Sequence, residues 1–338
     1  MVKALARGFA AVLIGAVLLA GLAAGWAFGQ YQHHQNELLD IPSAGIDITI
    51  ANGTSFTRMA ERLESAGLIQ HAWLWVLDAR RRGLSSRIKA GEYRLTQGLT
   101  AEGVLQQWVS GEVLTYSVTV PEGFSFAQMR QVFNQNNLLK HETTDWTDER
   151  LMTELGMPGQ HPEGRFMPNT YRFSRNTSDL VLYRQSMRLL KEALDDAWQG
   201  RDDDLPYTNP YEALIMASII EKETGVASER REVAGVFVRR LRKRMRLQTD
   251  PTIIYGLGDR YKGDIKRVHL REATPYNTYV INGLPPTPIA LPGKASIEAA
   301  VHPAEGSTLY FVADGKGGHT FSDTLKQHQA AVRRYLNR

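Results

Sequence analysis

The stretch NPYEALIMASIIEKET, residues 209–224, predicts the helix around which the rest of the chain is organised. Asn209 is a residue type that caps helices, and Pro210 suits the first helical turn, so the helix has a defined start. From Tyr211 the apolar residues keep helical spacing, and this pattern continues towards Met245. The sequence therefore predicts one long helix in this region.

Two carboxylates within this helix, Glu221 and Glu223, have different surroundings. They are about 200° apart on a regular helix, so they cannot both face one pocket. Glu223 shares its face with Met216 and Ile220, whereas Glu221 lies among smaller and more polar residues. An apolar surrounding raises the pKa of a carboxyl group, which suits a general acid that works at neutral pH. Glu223 is therefore a candidate catalytic residue, and an exposed Glu223, or one paired with Arg230, is the alternative that the spacing leaves open.

The composition of the 338-residue chain is that of an ordinary globular protein, with 43% hydrophobic and 22% charged residues. This length exceeds that of one compact domain, so two or three folded units are expected. The chain has no cysteine, which excludes disulfides, thiolate nucleophiles and cysteine-ligated zinc. The formal net charge is only +4. The basic run at residues 239–246 is interpreted as a solvated helix end near the negative end of the helix dipole, and nucleic-acid binding is not expected.

An unbroken run of twenty apolar or small residues, Phe9–Phe28, lies near the start of the chain. As a helix it would be about 30 Å long, which matches the thickness of a bilayer core. Lys3 and Arg7 precede the run, and no Lys or Arg follows it until Arg58. The positive-inside rule then places the N-terminus in the cytoplasm. We predict a single-pass anchor, with the remainder of the chain outside the cytoplasm, rather than a cleaved signal peptide.

Three segments repeat one pattern of an alternating strand, a Gly turn and a helix cap two residues after the Gly. The copies contain Ile48–Ser55 with Met59 and Leu63, Tyr93–Thr100 with Val104 and Trp108, and Val118–Ser125 with Met129 and Phe133. In each copy the last two apolar residues are four positions apart and share one helical face. With a further helix predicted at 72–82, residues 46–97 form a strand-helix-helix-strand unit that resembles LysM-type glycan-binding modules. A spacer that binds nothing is the alternative.

Six further motifs follow one another across residues 208–336. They are ASIIEKET (217–224), MRLQTDPT (245–252), YNTY (276–279), GLPP (283–286), AVHP (300–303) and YFVADGKGGHTF (310–321). With the weaker motifs at 121–123 and 163–164, they make the chain resemble the endolytic murein transglycosylases, or YceG-like proteins, over nearly its whole length. One departure is Asn169, where the family often has Asp, and this puts an acid/base role at that position in doubt.

The resemblance implies lytic cleavage of the MurNAc–GlcNAc β-1,4 bond within peptidoglycan strands, which leaves 1,6-anhydro-MurNAc ends and limits the length of nascent strands. It also implies that the catalytic residue is the second Glu of the Glu-Lys-Glu motif, here Glu223. Sugar sites need polar groups and flat apolar faces, and the candidate substrate-binding residues are Glu221, Gln248, Asp250, Tyr255, Asn277 and Tyr279. For Glu221, orienting a neighbouring loop is the alternative, and for Asp250 it is a structural turn before Pro251. No cofactor and no metal are expected, and the expected partners are glycan strands, the membrane and peptidoglycan synthases. Together with the anchor, the resemblance implies a location in the bacterial inner membrane, with the catalytic domain on the periplasmic side.

The predicted fold class is α+β, with an N-terminal transmembrane helix, a small LysM-like α+β module and a larger mixed α/β catalytic domain. The predicted boundaries are a cytoplasmic N-terminus at 1–8, the transmembrane helix at 9–28, a linker at 29–45, the LysM-like module at 46–114 and the catalytic domain at 115–338.

Two other functions stay open from the sequence. A muramidase that hydrolyses the same bond would need a second carboxylate, Asp250 or Glu163. A peptidoglycan-binding scaffold would need no catalytic group. His319, near Asp314 in the sequence, is interpreted as a loop histidine with one hydrogen bond, with a metal ligand or a second acid/base as the alternatives.

Overall fold

The computed structural model describes residues 14–22, 25–26, 28–29, 31 and 38–337. It confirms a mixed α+β fold. The chain divides into two compact units, the first formed by Met1–Tyr116 with Phe173–Arg175 and the second by Ser117–Arg172 with Asn176–Arg338. The sequence placed a boundary between residues 114 and 115, two residues before the chain passes from the first unit to the second.

The N-terminal region is described only in part. Residues 14–22 are helical, and residues 1–13, 23–24, 27, 30 and 32–37 lie outside the described residues. Within the described ranges, no helix combines the length and the apolar character needed to cross a membrane. The predicted anchor at 9–28 therefore stays a prediction.

The first unit is built on a two-stranded antiparallel sheet. Strand β1 (Ile46–Ile50) pairs with β2 (Gly91–Leu95), and helices α1 (Phe56–Ser65) and α2 (Ala72–Arg81) connect them. Helix α3 (Ala101–Ser110) follows the second strand. The predicted order of strand, helix, helix and strand at 46–97 is thereby confirmed.

The three repeated segments form the predicted local structure. The turn glycines Gly53, Gly98 and Gly123 all have positive φ, between 75° and 89°. Two residues after each glycine, the side chains of Ser55, Thr100 and Ser125 accept a hydrogen bond from the backbone N–H three positions later. The six apolar residues that the pattern placed on helical faces are buried, namely Met59, Leu63, Val104, Trp108, Met129 and Phe133.

The remaining elements are mostly helical. In chain order they are β3 (Tyr116–Thr119), α4 (Phe126–Asn134), α5 (Asp148–Glu154), β4 (Thr170–Phe173), α6 (Asp179–Gln199), α7 (Pro210–Glu223), α8 (Arg230–Arg242), α9 (Asp250–Leu257), α10 (Lys294–Val301), β5 (Tyr310–Ala313), β6 (His319–Ser322) and α11 (Leu325–Leu336). Strands β3 and β4 form one two-stranded sheet, and β5 and β6 form another, which is antiparallel.

Helix α7 lies at the centre of the second unit's core. All eight residues from Ala213 to Ile220 are buried, because the helix packs against α6, α8, α9 and α10. The side chain of Asn209 accepts a hydrogen bond from the backbone N–H of Glu212 at 3.1 Å, as its capping role predicted. A helix that is apolar on every side is usually buried in a protein core. Glu223 is the last residue of this buried helix.

The predicted continuation of this helix towards Met245 is wrong. Helix α7 ends at Glu223, since Thr224 is extended, with φ −139° and ψ 130°. The hydroxyl of Thr224 accepts a hydrogen bond from the N–H of Val226 at 3.0 Å, which stabilises the non-helical turn. A short 3₁₀ turn at Ala227–Glu229 then leads into α8. Glu223 consequently lies at a helix end and not within a helix.

The last helix begins with a capping box formed by Thr324 and Gln327, and Ser322 ends β6. One other local prediction is corrected by the structure. Asp250 and Pro251 do not form an isolated turn. They begin α9, where Pro suits the first helical positions because no N–H is needed there.

Candidate active site

Glu223 is half-buried, and its carboxyl group is largely enclosed by protein. The hydroxyl of Thr249 donates a short hydrogen bond to Glu223 Oε1. Burial raises the pKa of Glu223 to about 7, and the charge of Asp250 acts in the same direction, whereas the Thr249 hydrogen bond, His319 and Arg240 act against them. The C-terminal end of a helix also disfavours a negative charge. At neutral pH this carboxyl is therefore divided between its acid and carboxylate forms, as an acid/base catalyst requires.

Glu223 opens into a cleft of about 430 Å³. This volume is in the range of small-ligand sites. The side chains around the cleft combine charged and amide groups with aromatic rings: Glu223, Asp250, Gln248, Arg240, Tyr279, Tyr310, Phe311 and His328. Hydroxyl-directed hydrogen bonds and flat apolar faces are what a sugar ring needs, so the chemical character of the cleft suits a carbohydrate.

Three of the predicted substrate-binding residues line this cleft together with Glu223, namely Gln248, Asp250 and Tyr279. The hydroxyl of Tyr279 donates a hydrogen bond to Asp250 Oδ1 at 2.6 Å, so the two side chains hold each other in place. Gln248 has a positive φ of 52°. This conformation is unusual for a residue with a side chain and is often found at functional sites.

Glu221 does not line the cleft. Its side chain is only 7% exposed and is 4.0 Å from the Arg230 guanidinium. Its Oε2 accepts a hydrogen bond from the backbone N–H of Gly293 at 2.9 Å. On the neighbouring residue, Lys222 donates to the backbone carbonyl of Gly123 at 3.1 Å. These contacts of Glu221 agree with the alternative role considered from the sequence, in which Glu221 orients a neighbouring loop.

Asn277 and Tyr255 also lie outside the cleft lining. Asn277 is buried, and its amide donates to the carbonyls of His269 and Glu272 at 2.9 and 2.7 Å. These bonds hold the loop that presents Tyr279 to the cleft. The ring of Tyr255 packs edge-on against Tyr276, with centroids 5.0 Å apart. The structure does not bring these two side chains to Glu223, so their contact with substrate stays a prediction.

Arg240 is the site residue that the sequence analysis missed most clearly. It belongs to the basic run interpreted as solvated, yet it is only 8% exposed. Its guanidinium donates to the carbonyls of Leu309 and Leu247, each at 2.7 Å, and lies 5.2 Å from the centre of the Tyr310 ring. The buried residues Val236 and Phe237, four and three positions earlier, place Arg240 on the core face of α8, and this spacing was readable in the sequence.

Tyr310 and His328 form an aromatic wall of the same cleft. Their rings are stacked, with centroids 5.3 Å apart and an angle of 22° between the planes. The Nδ1 atom of His328 is buried without a hydrogen-bond partner in the structure, and burial lowers the pKa of this histidine. His328 lies in the last helix, outside every motif identified in the sequence. Tyr310 belongs to the motif at 310–321, but it was not chosen as a site residue.

His319 pairs with Glu229 and not with Asp314. Its Nδ1 atom is 2.7 Å from Glu229 Oε2, and its backbone N–H donates to Glu229 Oε1 at 2.8 Å. Asp314 accepts instead from the backbone N–H groups of Lys316 and Gly318 within the loop. In the described part of the chain, no group of three or more His, Asp or Glu side chains is arranged to hold a metal ion.

Glu163 and Asp250, the two carboxylates considered for a hydrolase, are placed differently. Asp250 lines the cleft with Glu223. Glu163 is 4% exposed and does not line the cleft; it accepts a hydrogen bond from the backbone N–H of Phe126 at 2.9 Å. This bond satisfies an N–H in the first turn of α4. Only Asp250 is therefore in a position to act together with Glu223.

Replacing Thr249 by Val is expected to change the pH dependence of the reaction. The Thr249 hydrogen bond lowers the pKa of Glu223, so its loss raises that pKa. Activity that requires protonated Glu223 falls as pH rises through this pKa, and the fall therefore moves to higher pH in Thr249→Val. The loss of orientation lowers kcat about tenfold. We would measure pH–rate profiles, with Thr249→Ser as the matched control that keeps the hydroxyl; identical profiles for all three proteins would contradict the assigned contact.

Replacing Glu163 by Gln is expected to stabilise the fold at alkaline pH. Burial raises the pKa of Glu163 to about 7, above that of an exposed Glu, so the folded state binds the proton more tightly than the unfolded state. Folding stability then falls as pH rises from about 4.5 to 7, and the full loss is present above pH 7. Gln avoids this loss, and we expect a gain of about 3 kcal/mol at pH 8 that disappears at pH 4. Urea unfolding at both pH values measures the gain, with exposed Glu154→Gln as the control.

The sequence model of the YceG-like family matches residues 48–334, which is most of the chain. The chain is 30% identical over 309 residues to an endolytic murein transglycosylase from Bacillus subtilis (strain 168), and the match covers 86% of this chain and 85% of that protein. It is 26% identical over 357 residues to an endolytic murein transglycosylase from Streptococcus pneumoniae (serotype 2, strain D39); that match covers 95% of this chain and 64% of the longer relative.

A solved structure is also similar. The fold matches a crystal structure of a yceG-like protein from Listeria monocytogenes with a TM-score of 0.54 and 28% sequence identity. The match covers 85% of this chain and 98% of that protein.

Proposed function

The chain belongs to the YceG-like family, and from this membership we infer that it is a lytic transglycosylase that cleaves the glycan strands of peptidoglycan. Its curated relatives have the name endolytic murein transglycosylase. The observation that carries the assignment in this chain is Glu223, a carboxyl group with a pKa near 7 that opens into a polar and aromatic cleft.

We propose that Glu223 acts first as an acid and then as a base. The protonated carboxyl donates its proton to the glycosidic oxygen as the bond from that oxygen to C1 of MurNAc breaks. The C6 hydroxyl of the same MurNAc attacks C1 and forms the 1,6-anhydro ring, and its proton passes to the Glu223 carboxylate. Atoms and charge balance without water, and Glu223 returns to its protonated form. A pKa near the working pH serves both half-steps.

The arrangement around Asp250 favours this single-carboxyl reaction over hydrolysis. A hydrolase needs a second carboxylate as nucleophile or as the base that activates water. Asp250 lines the cleft, so a muramidase stays the second candidate. However, the Oδ1 atom of Asp250 already accepts a hydrogen bond from the Tyr279 hydroxyl at 2.6 Å. We propose that Asp250 keeps Glu223 protonated through its negative charge and that it activates no water.

We propose that cleavage occurs within strands, as the names of the relatives state for those proteins, and that it limits the length of nascent strands. Long uncrosslinked strands incubated with the protein test this. We expect anhydro-ended fragments of intermediate length early in the reaction. Release of disaccharides alone from the first minutes would contradict cleavage within strands, and no cleavage by a folded protein would favour the scaffold alternative.

The location is proposed from the N-terminal sequence. We propose that Phe9–Phe28 anchors the chain in the inner membrane and places both units in the periplasm, where new strands are made and where peptidoglycan synthases would be partners. The apolar length and the Lys and Arg asymmetry support this. We also propose that the first unit binds glycan in the manner of the LysM modules it resembles.

Because the chain has no cysteine, its membrane topology can be measured with single introduced cysteines and no background labelling of the chain. A single cysteine at the exposed position Ser43 is expected to react with a membrane-impermeant maleimide in intact spheroplasts. A single cysteine at Val2, in the predicted cytoplasmic segment, is expected to react only after the membrane is permeabilised. Equal labelling at the two positions before permeabilisation would contradict the proposed topology.

A further inference from the structure

Helix α2 of the first unit has an apolar pair on its exposed face. Trp73 and Leu77 are 62% and 60% exposed. They are four positions apart, so their side chains lie next to each other on the helix surface. The opposite face of α2, which includes Trp75 and Ala79, is buried in the core of the unit. The exposed pair therefore does not contribute to that core, although Trp73 has a large apolar side chain of the kind that protein cores usually bury.

Basic side chains follow this apolar pair along the same helix. Arg80 is exposed, and the side chain of Arg81 is 70% exposed. Arg81 and Arg82 share the carboxylate of Asp78, and Arg82 also pairs with Glu102. Arg80 donates to the hydroxyl of Thr57 at 3.2 Å, so in the described part of the chain the three Arg side chains at this end of α2 have two carboxylates, Asp78 and Glu102, as ion-pair partners. A surface that combines Trp and Leu with an excess of Arg is suited to contact the interfacial region of an anionic bilayer.

The chain that leaves the predicted anchor contacts the same end of α2. The hydroxyl of Tyr31 donates a hydrogen bond to Asp78 Oδ1 at 2.6 Å. The guanidinium of Arg81 donates to the Tyr31 hydroxyl at 3.1 Å and lies 5.6 Å from the centre of its ring. Tyr31 is three residues beyond Phe28, the end of the predicted anchor, and three residues span at most about 11 Å even when fully extended.

We propose that the exposed face of α2, formed by Trp73, Leu77, Arg80 and Arg81, rests on the periplasmic surface of the bilayer. Trp73 and Leu77 enter the interfacial layer, and the guanidinium groups meet the phosphates of anionic phospholipids. The inference rests on the proposed membrane anchor and goes beyond it, because it assigns a lipid-contacting role to a folded module. An aromatic side chain can also stack on sugar, but the contact between Tyr31 and α2 and the Arg side chains favour lipid over glycan.

The test uses the full chain in nanodiscs made from phosphatidylethanolamine and phosphatidylglycerol. Because the natural sequence has no cysteine, Trp73→Cys and Leu77→Cys each carry one environment-sensitive fluorophore. The matched control is Thr49→Cys, since Thr49 is exposed on β1 between the buried residues Ile48 and Ile50 and so faces away from the core. Fluorescence is measured with and without lipids that carry a nitroxide quencher near the headgroup.

We expect a blue-shifted emission and roughly threefold more quenching at 73 and 77 than at 49. In nanodiscs without phosphatidylglycerol, or with Arg80→Gln added, quenching at 73 and 77 falls because the electrostatic attraction is weakened. Equal quenching at all three positions in a chain that elutes with the nanodisc would overturn the membrane-contact face alone. A chain that does not elute with the nanodisc would overturn the anchor as well. A blue shift that needs added glycan strands, without lipid quenching, would reassign the face to sugar.

Discussion

Replacing Glu223 by Gln is expected to lower the rate of glycan cleavage about 10³- to 10⁴-fold while the fold stays intact. Gln has the shape of Glu and can still accept the Thr249 hydrogen bond, but it can neither give a proton to the leaving oxygen nor take one from the attacking hydroxyl. Both half-steps lose their catalyst at once. The measurement is the initial rate of strand cleavage, together with circular dichroism to show that the variant is folded.

The matched control for this variant is Glu221→Gln, two residues earlier on the same helix. Glu221 contacts Gly293 and Arg230 and does not line the cleft, so its replacement is expected to lower the rate about tenfold or less through loosening of the loop. The Glu223 variant is also expected to be more stable than the natural protein at pH 8, because it no longer buries an ionisable group. A Glu223 variant that keeps more than about a tenth of the natural rate would contradict its role as the acid.

Replacing Arg240 by Ala is expected to destabilise the second unit by about 3 kcal/mol and to reduce cleavage about 100-fold. The guanidinium joins three parts of the site. It donates to the backbone carbonyl of Leu309, which precedes β5, and to that of Leu247, two residues before Thr249 in the chain, and it lies over the ring of Tyr310. Ala leaves both carbonyls without their donor and removes one side of the cleft. Urea unfolding and cleavage rates measure the two effects.

The control for Arg240 is Arg242 on the same helix. Arg242 is exposed and donates to the carbonyl of Asp204 at 2.6 Å, away from the cleft. Arg242→Ala is expected to cost less than about 1 kcal/mol and to leave the cleavage rate unchanged. Arg240→Lys is expected to recover part of the stability, since Lys keeps the charge but cannot bridge the two carbonyls in the same geometry. Equal effects of the two Ala variants would contradict the bridging role.

Local structure was predictable where single residues determine it. Gly53, Gly98 and Gly123 adopt the positive φ that their turns need, and Ser55 and Asn209 cap the helices that follow them. These features depend on contacts within a few residues, so the sequence contains all the information about them. The strand-helix-helix-strand order of the first unit follows from the same signals.

The end of α7 was not predictable from the same rules. The apolar spacing continues past Glu223, and the turn at Thr224 is stabilised partly by the hydroxyl contact with Glu229, five residues later. Glu229 is itself held by His319, 90 positions later in the chain. The spacing of Arg240 to earlier apolar residues indicated the core face of α8, but the run of basic residues does not show that its guanidinium binds two buried backbone carbonyls. Both outcomes therefore depend on tertiary contacts, which override local propensity.

The candidate site was found from the sequence only in part. Glu223, Gln248, Asp250 and Tyr279 meet at one cleft, because the motifs that contain them come together in the fold. Asn277 was chosen for its polar side chain, yet that side chain is used to hold its own loop. His328 comes from the last helix, 105 positions after Glu223 in the numbering, and its stacking on Tyr310 could be seen only in three dimensions.

The most direct test of the single-carboxyl reaction is to run the cleavage in water enriched in ¹⁸O and to weigh the new ends by mass spectrometry. We expect ends that are one water lighter than a reducing sugar and that contain no ¹⁸O, because the C6 hydroxyl of MurNAc replaces water as the nucleophile. Reducing ends that each carry one ¹⁸O atom would contradict the single-carboxyl reaction, and would assign to Asp250 the role of a second catalytic carboxylate.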